Sequence, residues 1–289
     1  MELKPTNRKQ ARIRMALQGP SGSGKTYSAL MLAYGMCENW SKIAVIDTEH
    51  HSAHLYSHLG NYQVLALGPP YSPERYIEAI DACENAGMDV IVIDSISHEW
   101  EGDGGILDIH SNMVGNSFTN WSKITPRHNA LVQRILNSGK HIIATVRSKQ
   151  DYVLSDKNGK SVPEKVGMKG VQRDGLEYDF TIVFELDINH NVNCSKDRTQ
   201  IFDKRIPFIV DSATGKKIQD WCKQAEPRSE KEAEELINAC NTIEELNHLY
   251  KHTPFIRKYA QLFNIKAYYL RLNNETVETT KHQSNGAQV

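Results

Sequence analysis

Eight consecutive residues, Gly19-Pro20-Ser21-Gly22-Ser23-Gly24-Lys25-Thr26, constrain this chain more than any other feature. They satisfy the pattern G-x-x-x-x-G-K-[ST], and they stand between an apolar run, Ile13 to Leu17, and a helical one, Tyr27 to Met36. Glycines at these spacings let backbone N–H groups converge on phosphate oxygens at a helix N-terminus, where the peptide dipoles favour negative charge. Lys25 adds a point charge, and the hydroxyl of Thr26 can ligate Mg²⁺. The expected nucleotide contacts are these eight residues, with Tyr27 directly after them.

A phosphate loop of this kind needs a parallel sheet behind it, and the chain has the rhythm of one. Short apolar, β-branched runs (Ile43 to Asp47, Val90 to Asp94, His141 to Val146, Thr181 to Leu186) alternate with helical stretches such as Pro73 to Ala86 and Pro126 to Asn137. The expected class is α/β, with a mainly parallel central sheet flanked by helices. Val192 to Phe202 and Ile206 to Val210 read as late strands, with Asp211 to Gly215 as a turn and the core closing near Trp221.

Beyond Pro227, Ser229-x-x-Glu232 and Thr242-x-x-Glu245 are capping-box patterns, each opening an amphipathic stretch. The expected division is a core over 1–225, a small helical appendage over 226–272, and a disordered tail over 273–289, where periodicity fades. A length of 289 residues suits one core with a smaller unit, and 39% hydrophobic with 24% charged residues is ordinary for a globular protein. No apolar run approaches the ~20 residues that span a bilayer, and the start of the chain is polar and basic, so a cytoplasmic protein is expected. The five cysteines form no C-x-x-C pair and read as free thiols.

The loop needs an acid on a neighbouring strand to hold its metal, and Asp94 ends the run Val90 to Asp94. Hydrolysis also needs a group that orients or deprotonates water. Glu49 closes the run that begins at Ile43, at the strand end where α/β sheets place their ligands. Glu99 and Glu101 are the other candidates for that role.

Here the residues resemble a family. Ile46-Asp47-Thr48-Glu49-His50 is similar to the segment of RecA-type recombinases that carries their catalytic glutamate, and Asp94-Ser95 to the pair ending their metal-binding strand. The resemblance implies a RecA-like P-loop ATPase that uses ATP and Mg²⁺. It places Tyr56, seven positions beyond Glu49, against adenine, and Thr145 where the family senses the terminal phosphate, although the family has glutamine there. In Cys194-Ser195-Lys196-Asp197-Arg198-Thr199 it gives Lys196 and Arg198 the role of cations reaching the nucleotide of an adjacent subunit, so the active site would be shared within a homo-oligomer. The pattern looks most like the short RecA-like (Sak-type) ATPases of bacteriophages, associated with single-strand annealing.

Net charge is only −1, so nucleic acid would have to bind a local patch. From 147 to 173 the cations Arg147, Lys149, Lys157, Lys160, Lys165, Lys169 and Arg173 outnumber the acids Asp151, Asp156 and Glu164, with three glycines interspersed. This reads as a flexible basic loop in the place where RecA-like proteins contact single-stranded DNA. The segment from Glu99 to Asn120 corresponds to that family's other loop, with Trp100, Phe118 and nearby Trp121 able to stack or to pack. Lys4, Arg8, Lys9, Arg12 and Arg14 add a second basic stretch.

His50, His54 and His58 share a face if the segment is α-helical, a spacing that invites a metal; it is set aside because no carboxylate or cysteine completes a site. The appendage could form its own core or dock a single-strand-binding protein. Two other functions remain open: a nucleotide-gated interaction module with little hydrolysis, and a small-molecule kinase, which the Lys196/Arg198 pair disfavours.

Overall fold

The computed structural model describes residues 11–157, 160–202, 206–223 and 230–284, with the side chains of 150–168, of Pro254 and of 273 onward left out. The chain divides into two compact units, Gln10–Lys223 and one that follows from Gln224.

The first unit is built on one sheet in the order β3-β2-β4-β5-β1-β7-β8, with β6 paired to β5. Five strands are parallel neighbours: β1 (Arg14–Gly19), β2 (Ile43–Asp47), β3 (Gln63–Ala66), β4 (Val90–Asp94) and the first part of β5 (His141–Lys157). β7 (Ile182–Leu186) runs parallel to β1, and β8 (Val192–Asp197) returns antiparallel at the edge. Alternating residues of the central strands feed two cores, as expected for a sheet buried on both faces. Met15, Leu17, Val45, Val92 and Phe184 pack towards α1 (Lys25–Cys37) and α6 (Ser212–Lys223). Ala16, Ile46, Ile91, Ile93 and Ala144 face α2 (Pro73–Asn85) and α5 (Ser117–Asn137). Helices α1 and α6 touch backbone to backbone: a methyl group on Gly35 would lie 2.0 Å from the Ser212 carbonyl oxygen, so only glycine fits.

Several expectations are revised. Helix α5 begins nine residues before Pro126, because the Asn116 side chain caps it by accepting from Phe118 N–H at 2.8 Å. Asp211 to Gly215 is not a turn: Asp211 accepts from Thr214 N–H at 2.8 Å and opens α6. Of Ile206 to Val210, only Phe208 bridges to Val192. The segment from Glu99 to Asn120 is largely helical, holding the end of α3 (Ser97–Glu101), α4 (Ile106–Ser111) and the start of α5.

The largest revision is the basic loop, which is a ladder. β5 continues past the sheet and pairs antiparallel with β6 (Lys160–Gly170), from Ser148 opposite Gly170 to Lys157 opposite Lys160, with an irregularity between Asp151 and Tyr152. Interspersed glycines, a proline and charges hid an alternation that its partner strand completes.

In the second unit α7 (Glu230–Ala239), α8 (Ile243–His252) and α9 (Ala260–Ser284) enclose Ala233, Ile237, Leu246 and Ile256. Thr242 caps α8 by accepting from Glu245 N–H at 3.1 Å, and the Glu245 carboxylate reaches back to Asn241 N–H rather than to Thr242; Ser229 lies outside the described residues. The backbone of α9 continues past Asn273 to Ser284, where the sequence reading places a disordered tail. Residues such as Glu275, Glu278 and Lys281 have good helix propensity and need no buried face to continue a turn. Among the described residues no helix is long and apolar enough to cross a membrane.

Candidate active site

The loop from Gly19 to Thr26 leaves the C-terminal end of β1 and enters α1. Gly22 and Gly24 both have φ of +80°, a conformation that strains residues with a side chain. The Lys25 ammonium folds across the loop and donates to the carbonyls of Gly19 (2.9 Å) and Pro20 (2.8 Å). Burial lowers its pKa from the usual lysine value, with Asp94 and Glu49 pulling the other way.

Asp94 is 2% exposed, and each carboxylate oxygen accepts from a threonine: Oδ2 from Thr26 Oγ1 at 2.7 Å, Oδ1 from Thr145 Oγ1 at 2.5 Å. Its strand is not adjacent to the loop's, because β5 lies between β1 and β4. Thr145 fills that gap, so it fixes the rotamer of the expected metal ligand. Its hydroxyl is committed to Asp94, which departs from the phosphate-sensing role the resemblance implied. Burial raises the Asp94 pKa, and the two hydroxyl bonds only partly oppose it.

Glu49, just past β2, accepts from Ser95 Oγ at 2.8 Å and from Arg147 through both Nε (2.8 Å) and Nη2. Burial pushes its carboxyl up, but the bonds from Arg147 and Ser95 outweigh burial and leave it below the usual glutamate range. Glu99 does not line the pocket that holds Glu49: it is fully buried, held by His128 Nδ1 at 3.0 Å and Gln172 Nε2 at 3.0 Å. Glu101 does line the pocket.

That pocket, about 970 Å³, is lined by the loop, Thr26, Tyr27, Glu49, Ser52, Tyr56, Asp94, Arg147, His190 and Ile209. The Tyr27 and Tyr56 rings lie 6.1 Å apart at one wall. The fit to a nucleotide with its metal rests on the donor set: a helix N-terminus, one ammonium, a hydroxyl bonded to a carboxylate, and at the pocket wall a buried Ser52 hydroxyl with no partner among the described residues. Sequence reasoning missed His190, which sits in the β7–β8 turn with its Nδ1 2.9 Å from where a Cβ on Gly24 would be. Its signal was weak, a lone histidine far along the chain.

A family model for the AAA domain matches residues 11–205. The chain belongs to the AAA domain family. A stretch of it is also similar to the protein RecA of Gluconobacter oxydans (strain 621H), 31% identical over 126 residues, which are 40% of this chain and 36% of that protein. The chain therefore matches little more than a third of that relative's length. Together with the loop geometry, these similarities support a P-loop nucleotide-binding domain of the RecA-like kind.

Other expected residues of this AAA domain fall elsewhere. Lys196 sits opposite Val183, which is level with Ala16 of β1, and Arg198 lies farther from the loop. Both donate to the Tyr178 carbonyl, Lys196 Nζ at 2.5 Å and Arg198 Nη2 at 2.9 Å, and neither lines the pocket. Lys149 stands opposite Lys169 on the hairpin, while Lys169 pairs with Asp174 at 2.7 Å. Arg173 Nη1 is 3.4 Å from Asn129 Oδ1. The side chains of Lys157, Lys160 and Lys165 lie outside the described residues.

Arg14 is not a phosphate contact. It is 4% exposed, with its guanidinium on the carbonyls of Ile135, Leu136, Ser138 and Lys140, and burial lowers its pKa to about 10. Lys4, Arg8 and Lys9 lie outside the described residues. Trp100 stacks on Trp121 with centroids 6.0 Å apart and meets His128 edge-on, whereas Phe118 is 86% exposed. Residues 52–59 form a 3-10 helix rather than an α-helix, so His54 and His58 do not stack one turn apart and His50 precedes the helix.

Proposed function

We propose that this chain hydrolyses ATP with Mg²⁺ and acts on single-stranded DNA as a homo-oligomer, in annealing or strand exchange, after the manner of bacteriophage RecA-like recombination proteins working in the host cytoplasm. The observation that carries the reading is the convergence on one carboxylate, Asp94, of hydroxyls from the phosphate loop (Thr26) and the central strand (Thr145), beside Glu49. Thr26 and Asp94 would hold the metal, which supplies charge neutralisation for the phosphates. Loop N–H groups and Lys25 bind phosphate oxygens, Tyr27 and Tyr56 flank the base, and Glu49 orients the attacking water.

The DNA part rests on the hairpin. Its register sets Lys149 opposite Lys169, which is paired with Asp174 at 2.7 Å, so two cations share one carboxylate there and a phosphate backbone would add the second anion. A groove beside it, lined by Trp100, Trp121, Lys149, Lys169 and Arg173, offers the mixture of ring faces and cations that single strands need. The oligomer rests on the resemblance, which gives Lys196 and Arg198 to a neighbour's nucleotide; neither of them lines the pocket of its own loop.

The experiment is ATP turnover with and without single-stranded DNA. Strong stimulation supports the reading, and phosphate transfer to an acceptor other than water would replace it with a kinase. Arg198→Ala should be inactive alone and regain turnover when mixed with a Lys25→Ala subunit that donates a normal Arg198; absence of rescue in every mixture would remove the shared site. A second reading, a nucleotide-gated module that recruits a partner such as a single-strand-binding protein, is favoured by exposed Ile265, Tyr268 and Tyr269 on α9. A flat, low turnover at all DNA concentrations would select it.

A further inference from the structure

Glu49 orients water through its carboxylate lone pairs, and one guanidinium and one hydroxyl already occupy three of the four, leaving a single position on Oε2. Arg147 Nε meets Oε1 at 2.8 Å and Nη2 meets Oε2, with Ser95 Oγ also on Oε1. This fork is planar and bidentate, the strongest arrangement a carboxylate makes with a side chain. It lies inside the nucleotide pocket, not on a remote surface: Arg147 lines the same cavity as Lys25, Thr26 and Asp94, and its backbone is in register with Gly19, where the phosphate loop begins.

The pair is not sealed. The Arg147 side chain is 40% exposed and that of Glu49 is 22% exposed. Both are accessible to a competing anion entering the pocket.

The backbone of Arg147 is where two systems join. Its N–H donates to Ser97 Oγ at 2.9 Å, its carbonyl accepts from Val171 N–H at 2.6 Å, and the next residue, Ser148, opens the pairing with Gly170 that becomes the basic hairpin. A shift of the hairpin root therefore moves this guanidinium. The charged and titratable groups facing the pair are Lys25 and Asp94 from the loop side, His98 from α3, and Glu101 at its end. Among the described residues no carboxylate other than Glu49 is hydrogen-bonded to Arg147, and an anion entering the pocket would compete with Glu49 for it. A guanidinium matches phosphate by the same fork it makes with carboxylate.

We infer that Arg147 is a positioning residue that latches Glu49, and that a phosphate oxyanion, from the terminal phosphate of the nucleotide or from a nucleic-acid backbone, opens the latch by taking the guanidinium. The inference rests on the reading of Glu49 as the water-orienting group. It assigns Arg147 a role distinct from that of the other hairpin cations: it couples the hairpin to turnover instead of adding affinity alone.

The test compares wild type, Arg147→Ala, Arg147→Lys and Glu49→Gln in ATP turnover with and without single-stranded DNA, and in binding of ATP and ADP. If DNA backbone opens the latch, Arg147→Ala turns over ATP without DNA about tenfold faster than wild type and gains little more when DNA is added. If the terminal phosphate opens it, Arg147→Ala loses the preference for ATP over ADP while stimulation by DNA persists. Arg147→Lys, with charge but no fork, falls between in either arm and carries the result if the alanine variant does not fold. Rates and preference equal to wild type overturn the latch. So does slower turnover with intact ATP binding and preference, which would make Arg147 a direct catalytic cation. Normal turnover by Glu49→Gln defeats the premise; an inactive Glu49→Gln beside wild-type-like Arg147 variants defeats only the latch.

Discussion

The phosphate-loop end of the sheet and the hairpin that grows from the same β5 strand satisfy their polar groups in opposite ways. At the loop, charge meets complement: Asp94 has two hydroxyls, Glu49 has a guanidinium, and Lys25 has two carbonyls. Along the hairpin the ladder is interrupted between Asp151 and Tyr152, and Lys149 stands opposite Lys169, which pairs with Asp174. The loop site thus has its charged groups partnered within the chain before a ligand arrives, and a ligand must take over some of those partners. Two opposed lysines that share one carboxylate keep net positive charge, which suits a phosphate backbone. The contrast assigns chemistry to the first region and recruitment to the second, with Arg147 at their junction.

The sharpest way to break the contrast is at the loop. Lys25→Ala should weaken ATP binding by about 100-fold or more, measured by fluorescent-nucleotide titration, since charged hydrogen bonds to phosphate are lost. It should leave single-stranded DNA binding without nucleotide unchanged. Loss of both together would mean that the two regions are one site.

A second, somewhat smaller effect belongs to the hairpin. Lys149→Ala with Lys169→Ala should lower the slope of log K against log salt for single-stranded DNA by about 0.7 per phosphate contact removed. Turnover without DNA should be unaltered in Lys169→Ala alone, because Lys169 does not line the nucleotide pocket as Lys149 does. An unchanged salt slope would remove these lysines from the interface.

Asp94→Asn sharpens the comparison from the side of stability. An amide of the same shape keeps both hydroxyl partners and removes a buried charge, so the nucleotide-free protein should melt roughly 2–4 °C higher, about 1 kcal/mol, while Mg²⁺-dependent turnover is lost. A lower melting temperature would show that the ionised carboxylate stabilises the fold.

The smallest effect tests the far end of the same sheet. His141 accepts from Ile13 N–H at 3.1 Å, and burial, followed by the nearby Arg12 and Arg14, depresses its pKa to about 4. A histidine with a depressed folded-state pKa is stabilising while neutral, so its contribution is present above the unfolded value of about 6.5 and is lost as pH falls towards 4. Urea midpoints should therefore drop across that window, and the drop should be shallower in His141→Gln. Identical pH dependence in both proteins would contradict this.

Much of the loop region could be read from the chain because its signals are local. The glycines, Lys25 and Thr26 are contiguous, and the strands ending at Asp47 and Asp94 are unbroken β-branched runs whose limits the structure reproduces. What could not be read depends on partners distant in sequence. Thr145 binds Asp94 only because β5 is inserted between β1 and β4, an order that no single segment encodes. Arg147 was grouped with the hairpin cations, yet its partner Glu49 lies 98 residues earlier. The hairpin itself was hidden by Pro163 and its glycines, and short β3, flanked by Gly60 and Gly68, lacked the length to stand out.

The central claim is that Gly19 to Thr26 cradle a triphosphate whose metal answers to Asp94 and whose attacking water answers to Glu49. A crystal structure with Mg²⁺ and a non-hydrolysable ATP analogue tests it most directly. The account predicts the metal on Thr26 Oγ1, with Asp94 bound to it directly or through water, and the Glu49 carboxylate within hydrogen-bond reach of a water in line with the terminal phosphate. Phosphates bound outside this loop, or a terminal phosphate remote from both carboxylates, would contradict it.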